Sequence, residues 1–323
     1  MVAAGEFHPP SSVLDSRCIL LAGPTAVGKS EVAFRLAERL GGEIVSVDSM
    51  QVYRGLGIGT AKPAPADRAR VPHHLIDVVE PTEPFDAAQF VRLADAAVRA
   101  IQRRGRTAIL CGGTGLYFKA LLEGLGEAPP ADPALRAELE AMPLEALLRE
   151  LAARDPRTYE TLDRKNPRRV IRAVEVIRLT GRPFSAQRAE WRRANGGLQP
   201  AVPFFCLSRS ADDRRARIEV RVDEMFRRGL VEETRRLLGR GLAQNPTALQ
   251  AIGYRQVVEH LRGARPLSDT IALVKTRTRQ FAKRQMTWFR RQARLTWLEL
   301  APDEPVEHTV SRLLQICPAS ANG

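Results

Sequence analysis

Long apolar runs are missing from this 323-residue chain. None approaches the ~18 residues that a membrane-spanning helix requires, so no membrane partner is expected. Cysteine is scarce and scattered: Cys18, Cys111, Cys206 and Cys317 show no C-x-x-C spacing. That excludes a disulfide framework or a zinc knuckle and points to buried, reduced thiols in a cytoplasmic protein. The opening MVAAGEFHPPSSVLDSR lacks the basic and then apolar blocks of a secretory leader, and residues 1–16 read as a loose tail. His73 and His74 are adjacent, so on a strand they point to opposite faces and do not share an ion. Acids are in deficit, with 37 Asp and Glu against 50 Lys and Arg, a net charge of +13. The excess is uneven. Residues 164–294 hold 31 basic and 11 acidic side chains, a local +20 that leaves the remainder near −7. A basic half of this kind suits a large polyanion, nucleic acid first, with solvated arginine-rich helix faces as the plainer alternative.

What is present begins at residue 20 with LLAGPTAVGKS. Gly23, Gly28, Lys29 and Ser30 complete G-x-x-x-x-G-K-[ST], preceded by the apolar stretch 18–22 and followed by helical spacing at Val32, Leu36 and Leu40. Strand, glycine turn and helix make a phosphate-binding loop, because backbone N–H groups turn inward and the helix N-terminus adds positive potential. Lys29 adds a mobile charge and Ser30 a hydroxyl suited to Mg²⁺. The loop alone does not say whether the phosphate is that of ATP.

The first 125 residues alternate β and α, with strands expected at 43–47, 73–79 and 107–111 and a helix at 87–105. The fold class is therefore α/β: a P-loop-type parallel sheet core with helices on both faces, plus a helical insertion domain. The boundaries are a core over 17–124 and 201–316, with an arginine-rich helical C-terminal part, and an insertion over 125–200 closed by Gly196-Gly197 and Pro200. A strand is expected at 202–207 and helix from 211 to about 298.

A phosphate-loop kinase needs a second strand ending in an acid for its metal. The strand at 107–111 ends in Cys111-Gly112-Gly113, leaving Asp48 and Asp77 as the candidates. DSMQVYRGLGIGTAKP (48–63) places Asp48 at a strand tip, where it either ligates metal, accepts a proton, or merely caps a turn. CGGTGLYFKALLEG (111–124) offers glycines for close backbone approach and the Thr114 hydroxyl, or simply a strand–helix turn with Tyr117 and Phe118 in the core.

These stretches together resemble the signature set of the tRNA dimethylallyltransferases (tRNA isopentenyltransferases). NPRRVIRAVEV (166–176), RIEVRVDEMFRRGLVEE (217–233), QAIGYRQ (250–256) and KRQMTWFRR (283–291) continue the resemblance in order from about residue 18 to 298. Two departures are small: Ala26-Val27-Gly28-Lys29-Ser30 stands where the family usually has Ala-Ser-Gly-Lys-Thr, and Phe85-Asp86-Ala87-Ala88 replaces a Tyr-Ser segment. The zinc-finger tail of eukaryotic members is not seen, so the resemblance is to the bacterial form.

The resemblance implies transfer of a dimethylallyl group from dimethylallyl diphosphate to the exocyclic amine of the adenosine 3′ to a tRNA anticodon. The diphosphate would lie on Gly23, Pro24, Thr25, Ala26, Val27, Gly28, Lys29 and Ser30, with Mg²⁺ on Ser30. Asp48 would be the general base, Thr25 and Thr114 would position the reactants, and Arg217 and Arg221, one helical turn apart, would stabilise the leaving group. Pairing of Arg217 with Asp213 and of Arg221 with Glu224 is the alternative. The tRNA anticodon stem-loop would meet Asp48, Ser49, Met50, Gln51, Thr114, Arg136, Arg168, Arg169, Arg172, Gln250, Gly253, Tyr254, Arg255, Lys283, Arg284, Gln285, Trp288 and Arg290. Asn166-Pro167 would cap and start the helix carrying Arg168, Arg169 and Arg172. A monomer is expected. Rival readings are a small-molecule P-loop kinase, an adenylate isopentenyltransferase acting on a free nucleotide, and an RNA-binding protein with a relic loop.

Overall fold

The computed structural model describes residues 14–187, 202–292 and 295–317. Most of the tail expected at 1–16 lies outside them, as do the exit signals at Gly196-Gly197 and Pro200. The chain forms two compact units, one from the described part of Glu123–Trp191 and one from the described parts of Ser11–Leu122 and Arg192–Gly323.

The larger unit is a six-stranded, wholly parallel sheet. Its strands in chain order are β1 (Cys18–Ala22), β2 (Glu43–Val47), β3 (His73–His74), β4 (Ala108–Gly112), β5 (Phe204–Ser208) and β6 (Thr296–Glu299), arranged β3-β2-β4-β1-β5-β6. Strands β1, β2 and β4 are buried along their whole length; β1 and β4 are built almost wholly of apolar residues, and β2 buries Glu43 and Ser46 as well. Helix α1 (Lys29–Leu40) packs Val32, Leu36 and Ala37 onto Ile19, Leu21 and Ile109. On this same face Val310 and Leu313 of the last helix (Val306–Ile316) join the cluster. Phe204 points away from its neighbour Phe205 and meets Phe118 with ring centroids 5.1 Å apart, so the helix over Gly115–Glu123 covers the other face. Tyr117 of that helix stacks on Phe90 of the helix Ala87–Arg103 at 4.2 Å, adding the second helix of that layer. Numbered along the chain, the helices are α2 (Pro65–Arg70), α3 (Ala87–Arg103) and α4 (Gly115–Glu123). After β5 come α9 (Ala211–Arg227), α10 (Leu230–Gly239), α11 (Tyr254–Leu261), α12 (Leu267–Gln292) and α13 (Val306–Ile316).

The second unit holds α5 (Pro133–Ala141), α6 (Leu144–Arg154), α7 (Pro156–Thr161) and α8 (Pro167–Thr180), whose Leu139, Leu147, Leu151, Val170 and Val174 make a core of their own. Pro167 opens α8, but Asn166 makes no side-chain cap bond.

Two expected elements differ. The strand at 73–79 stops at His74, because Leu75 and Asp77 turn into the left-handed region (φ 61° and 56°). Lys62 at 2.6 Å and Arg68 at 2.9 Å hold the Asp77 carboxylate there. Helix was expected to run to about 298, yet Thr296–Glu299 is the edge strand β6, with only Leu298 buried. No helix among the described residues is long and apolar enough to cross a membrane.

Candidate active site

Three motif loops leave the C-terminal ends of three neighbouring strands, β2, β4 and β1, where ligands gather in open parallel sheets. After β1, Ala26 (φ 65°) and Gly28 (φ 98°) turn the chain so that successive N–H groups face the hollow of the loop. Gly28 precedes α1 and supplies no side-chain cap, which leaves the first-turn N–H groups for an anion. Ala26 is held in its unusual conformation by packing against Ile218 and Val222 of α9 and Val274 and Ala282 of α12. Behind the loop, buried Arg209 donates to the Val27 carbonyl at 3.0 Å and to Asp213 at 2.9 Å. Lys29 reaches back to donate to the Pro24 carbonyl at 3.2 Å. At Gly23 an added Cβ would meet the Leu207 carbonyl oxygen at 2.9 Å, so the loop lies flat on β5.

Asp48 follows β2 directly. Its Oδ1 accepts the N–H groups of Met50 (2.8 Å) and Gln51 (3.2 Å), fixing the carboxylate in a turn, while Oδ2 makes no hydrogen bond among the described residues. The Ser49 N–H donates to Thr114 Oγ1 at 3.2 Å, and Thr114 N–H donates to the Val47 carbonyl at 3.2 Å. The loops after β2 and β4 are thus tied together. Gln51 is occupied inward, donating to the Thr60 carbonyl at 3.1 Å and accepting from Ser46 at 2.8 Å.

Electrostatics set these residues apart. Burial pushes the Lys29 ammonium below its usual range, and the Arg221 charge adds to the push while Asp48 opposes it. Burial likewise lowers Arg221, again opposed by Asp48. Two desolvated cations around one carboxylate leave positive charge that an anion would compensate. Arg217 is elsewhere. It pairs with Asp213 at 3.0 Å and donates to the Pro302 carbonyl at 3.0 Å. Glu224 is paired with Arg227 at 2.8 Å, and Arg217 takes the Asp213 pairing that its sequence neighbourhood offered.

The stretch after Gln51 has a structural task that sequence reasoning missed. Buried Glu233 accepts the Ile58 N–H at 2.9 Å and the Tyr254 hydroxyl at 2.6 Å, and that hydroxyl accepts the Gly59 N–H at 3.0 Å. Lys62 joins the Tyr53 carbonyl at 2.5 Å to Asp77. Glu232-Glu233 at the start of α10 looks like ordinary first-turn acid, so no local signal marked Glu233 as buried.

Several expected RNA contacts turn inward and are corrected here. Tyr254 is fully buried on Glu233, and Gly253 is buried before α11, its N–H on Gln256. Gln285 is only 8% exposed and bonded at both ends of its amide. Arg255 is exposed and pairs with Glu259, and Gln250, Lys283, Arg284 and Arg290 are exposed, while Trp288 is half-buried. In the smaller unit Arg168 and Arg169 are exposed on the first turn of α8. Arg136 and Arg172 instead converge on the fully buried Glu175 at 2.5 and 2.7 Å.

Burial pushes the Cys111 thiol up to about 11 and Cys206 to about 12, so both are inert. No group of three or more His, Cys, Asp or Glu that could hold a metal occurs among the described residues. Ser30 lines a cavity of about 120 Å³ beside Gln51 and Cys111. Ser46, Glu31, Asp67 and His73 line the same cavity, and the Ser30 hydroxyl at the start of α1 is the hard oxygen that would suit Mg²⁺ arriving with phosphate oxygens and its own waters.

The sequence model of the IPP transferase family matches residues 51–292. The tRNA dimethylallyltransferase 1 of Citrifermentans bemidjiense is 48% identical over 88% of this chain and 92% of its own length. The tRNA dimethylallyltransferase of Halorhodospira halophila is 50% identical over 85% and 89%. Among solved structures, the full-length tRNA isopentenylpyrophosphate transferase of Bacillus halodurans superposes with a TM-score of 0.67 at 38% identity, over 93% of this chain and 95% of that one. A eukaryotic dimethylallyltransferase acting on tRNA gives 0.69 at 29% identity, over 84% and 69%. With a matching family model across most of its length and relatives near half identical throughout, the chain belongs to the tRNA dimethylallyltransferase family of transferases.

Proposed function

We propose that this chain transfers the dimethylallyl group of dimethylallyl diphosphate to the exocyclic amine of the adenosine 3′ to the anticodon of tRNA. The observation that carries the reading is the placement of a phosphate loop, two desolvated cations and a turn-fixed carboxylate on adjoining strand ends of one sheet. The N–H groups of the loop and the charges of Lys29 and Arg221 cradle the diphosphate. They favour the transition state because negative charge grows on the leaving oxygen as the C1–O bond breaks. Asp48 takes a proton from the adenine amine while the C–N bond forms, which restores a lone pair otherwise delocalised into the ring. Thr25 and Thr114 orient the two reactants. Pyrophosphate leaves as the anion, so the proton on Asp48 and the charge on the leaving group balance.

Ser30 would hold Mg²⁺ together with diphosphate oxygens, and the ion, when bound, neutralises part of the leaving-group charge. Arg168, Arg169, Lys283, Arg284 and Arg290 are exposed and meet RNA phosphate, while Trp288 offers a ring for stacking. The adenosine is unpaired in its loop, so extruding it costs less than from a duplex. Free thiols, three buried and Cys317 half-buried, suit a reducing cytoplasm.

The test mixes the protein with Mg²⁺, dimethylallyl diphosphate labelled in the prenyl group and tRNA lacking the modification. Label on the adenosine beside the anticodon is expected. Label on free adenosine monophosphate but not on tRNA would support the free-nucleotide activity instead.

A further inference from the structure

Gln285 directly follows exposed Arg284 on the basic helix α12, about 100° further round, yet its own side chain points into the protein. Its Oε1 accepts the Thr25 N–H at 2.9 Å, and its Nε2 donates to the Gly113 carbonyl at 2.9 Å. One amide therefore spans the phosphate loop after β1 and the glycine loop after β4. Each end lies one residue or less from a hydroxyl assigned to the reaction: Thr25 itself, and Thr114 next to Gly113. The seat is tight. A Cβ at Gly113 would stand 2.4 Å from Nε2, and one at Gly115 would stand 2.2 Å from the Trp288 ring, three residues further along the same helix face. Glycine in this loop is thus required by the approach of α12. Nearer its N-terminus, α12 is locked to α9 by Arg279 on Glu219, and by Lys275 on Asp223 at 2.8 Å.

We infer that Gln285 is a positioning residue that sets the distance between Thr25 and Thr114 and ties that distance to the placement of α12. No other amide orientation satisfies both loops, because a carbonyl can only accept from Thr25 N–H and an NH₂ can only donate to Gly113. Displacing reacting groups by about 1 Å can cost on the order of a hundredfold in rate without loss of binding. The role rests on the proposed transfer reaction for its kinetic arm, but the tether itself is testable without any substrate.

Two variants in the full-length protein test it. Gln285→Met keeps the length and removes both hydrogen bonds; Gln285→Glu keeps the acceptor and, when protonated, regains a donor for the Gly113 carbonyl. In the substrate-free protein, hydrogen exchange at the Thr25 amide should rise at least tenfold in Gln285→Met. An unchanged rate there overturns the tether whatever the enzyme's substrate proves to be. In transfer assays Gln285→Met should lose ten- to a hundredfold in kcat while the KM values for tRNA and dimethylallyl diphosphate move less than about threefold. Burial raises the carboxyl of Gln285→Glu. Its kcat, divided by that of the unaltered protein at the same pH, should therefore climb as pH falls from 8.5 to 6. A merely structural role would not produce that climb. A flat ratio, or a change in KM alone, overturns the positioning role, and an unaltered protein that moves no label sinks the transfer reading while leaving the exchange result to stand or fall separately. Should Gln285→Met fail to melt cooperatively, the Gln285→Glu exchange and pH measurements decide alone.

Discussion

Arg221 and Arg217 lie on the same helix one turn apart, and replacing each with methionine separates the charge proposed to meet the diphosphate from one that pairs with Asp213. Arg221 is desolvated, influenced by Asp48 and Lys29, and free of the Glu224 pairing its sequence neighbourhood offers. A unit charge about 5 Å from a diphosphate charge, at an effective dielectric of about 20, contributes roughly 3 kcal/mol. Its removal should therefore lower kcat/KM for dimethylallyl diphosphate by roughly two hundredfold. Arg217 has a side chain 40% exposed and already spent on Asp213 and the Pro302 carbonyl. A pair of that kind contributes about 0–1 kcal/mol, so Arg217→Met should change kcat/KM by less than about fivefold. The assay is steady-state transfer of labelled prenyl groups with diphosphate varied at saturating tRNA, accompanied by calorimetric binding of pyrophosphate and thermal melts. Equal losses in the two variants, with equal melting temperatures, would refute the electrostatic assignment. So would an Arg221→Met enzyme within tenfold of the parent.

Two further outcomes follow from charge. Burial alone would raise the Glu43 carboxyl, but hydrogen bonds from Arg104 and His74 outweigh it and hold the group at about 2 against 4.5 when unfolded. Its stabilisation, about 3 kcal/mol from that shift, is complete above pH 4.5 and disappears as pH falls through about 2. Urea unfolding at pH 6, 4 and 2.5 should show the loss, and Glu43→Gln should flatten that part of the curve. The basic stretch 164–294 should make tRNA affinity fall by orders of magnitude between about 50 and 200 mM salt, whereas a flat dependence would mean a merely solvated surface.

The phosphate loop, Asp48 and the GGTG turn were legible because the chemistry of phosphate binding confines its residues to a short contiguous pattern. The parallel sheet was legible because doubly covered strands such as β1 and β4 read as plain apolar runs. Contacts across long stretches of sequence were not. Gln285 sits inside the basic block KRQMTWFRR and Tyr254 beside Arg255, and nothing in a linear pattern says that these two side chains face inward to positions 25 and 113, or 59 and 233. Helical spacing put Arg217 and Arg221 on one face, but it could not show that Arg217 bonds Asp213 while Arg221 is desolvated and feels the Asp48 charge. Asp77 read as a strand-end acid because no local pattern shows that Leu75 and Asp77 take left-handed backbone, or that Lys62 and Arg68 bind the Asp77 carboxylate.

The central claim is that Asp48 removes the amine proton, and the single-turnover transfer rate of Asp48→Asn tests it most directly. Asparagine keeps the size and can still accept the Met50 and Gln51 N–H groups through its carbonyl oxygen, so the turn should survive. The rate should fall by roughly two to four orders of magnitude while tRNA and dimethylallyl diphosphate bind within about threefold of normal. A near-normal rate, or a loss that raising Mg²⁺ restores through diphosphate affinity, would contradict it.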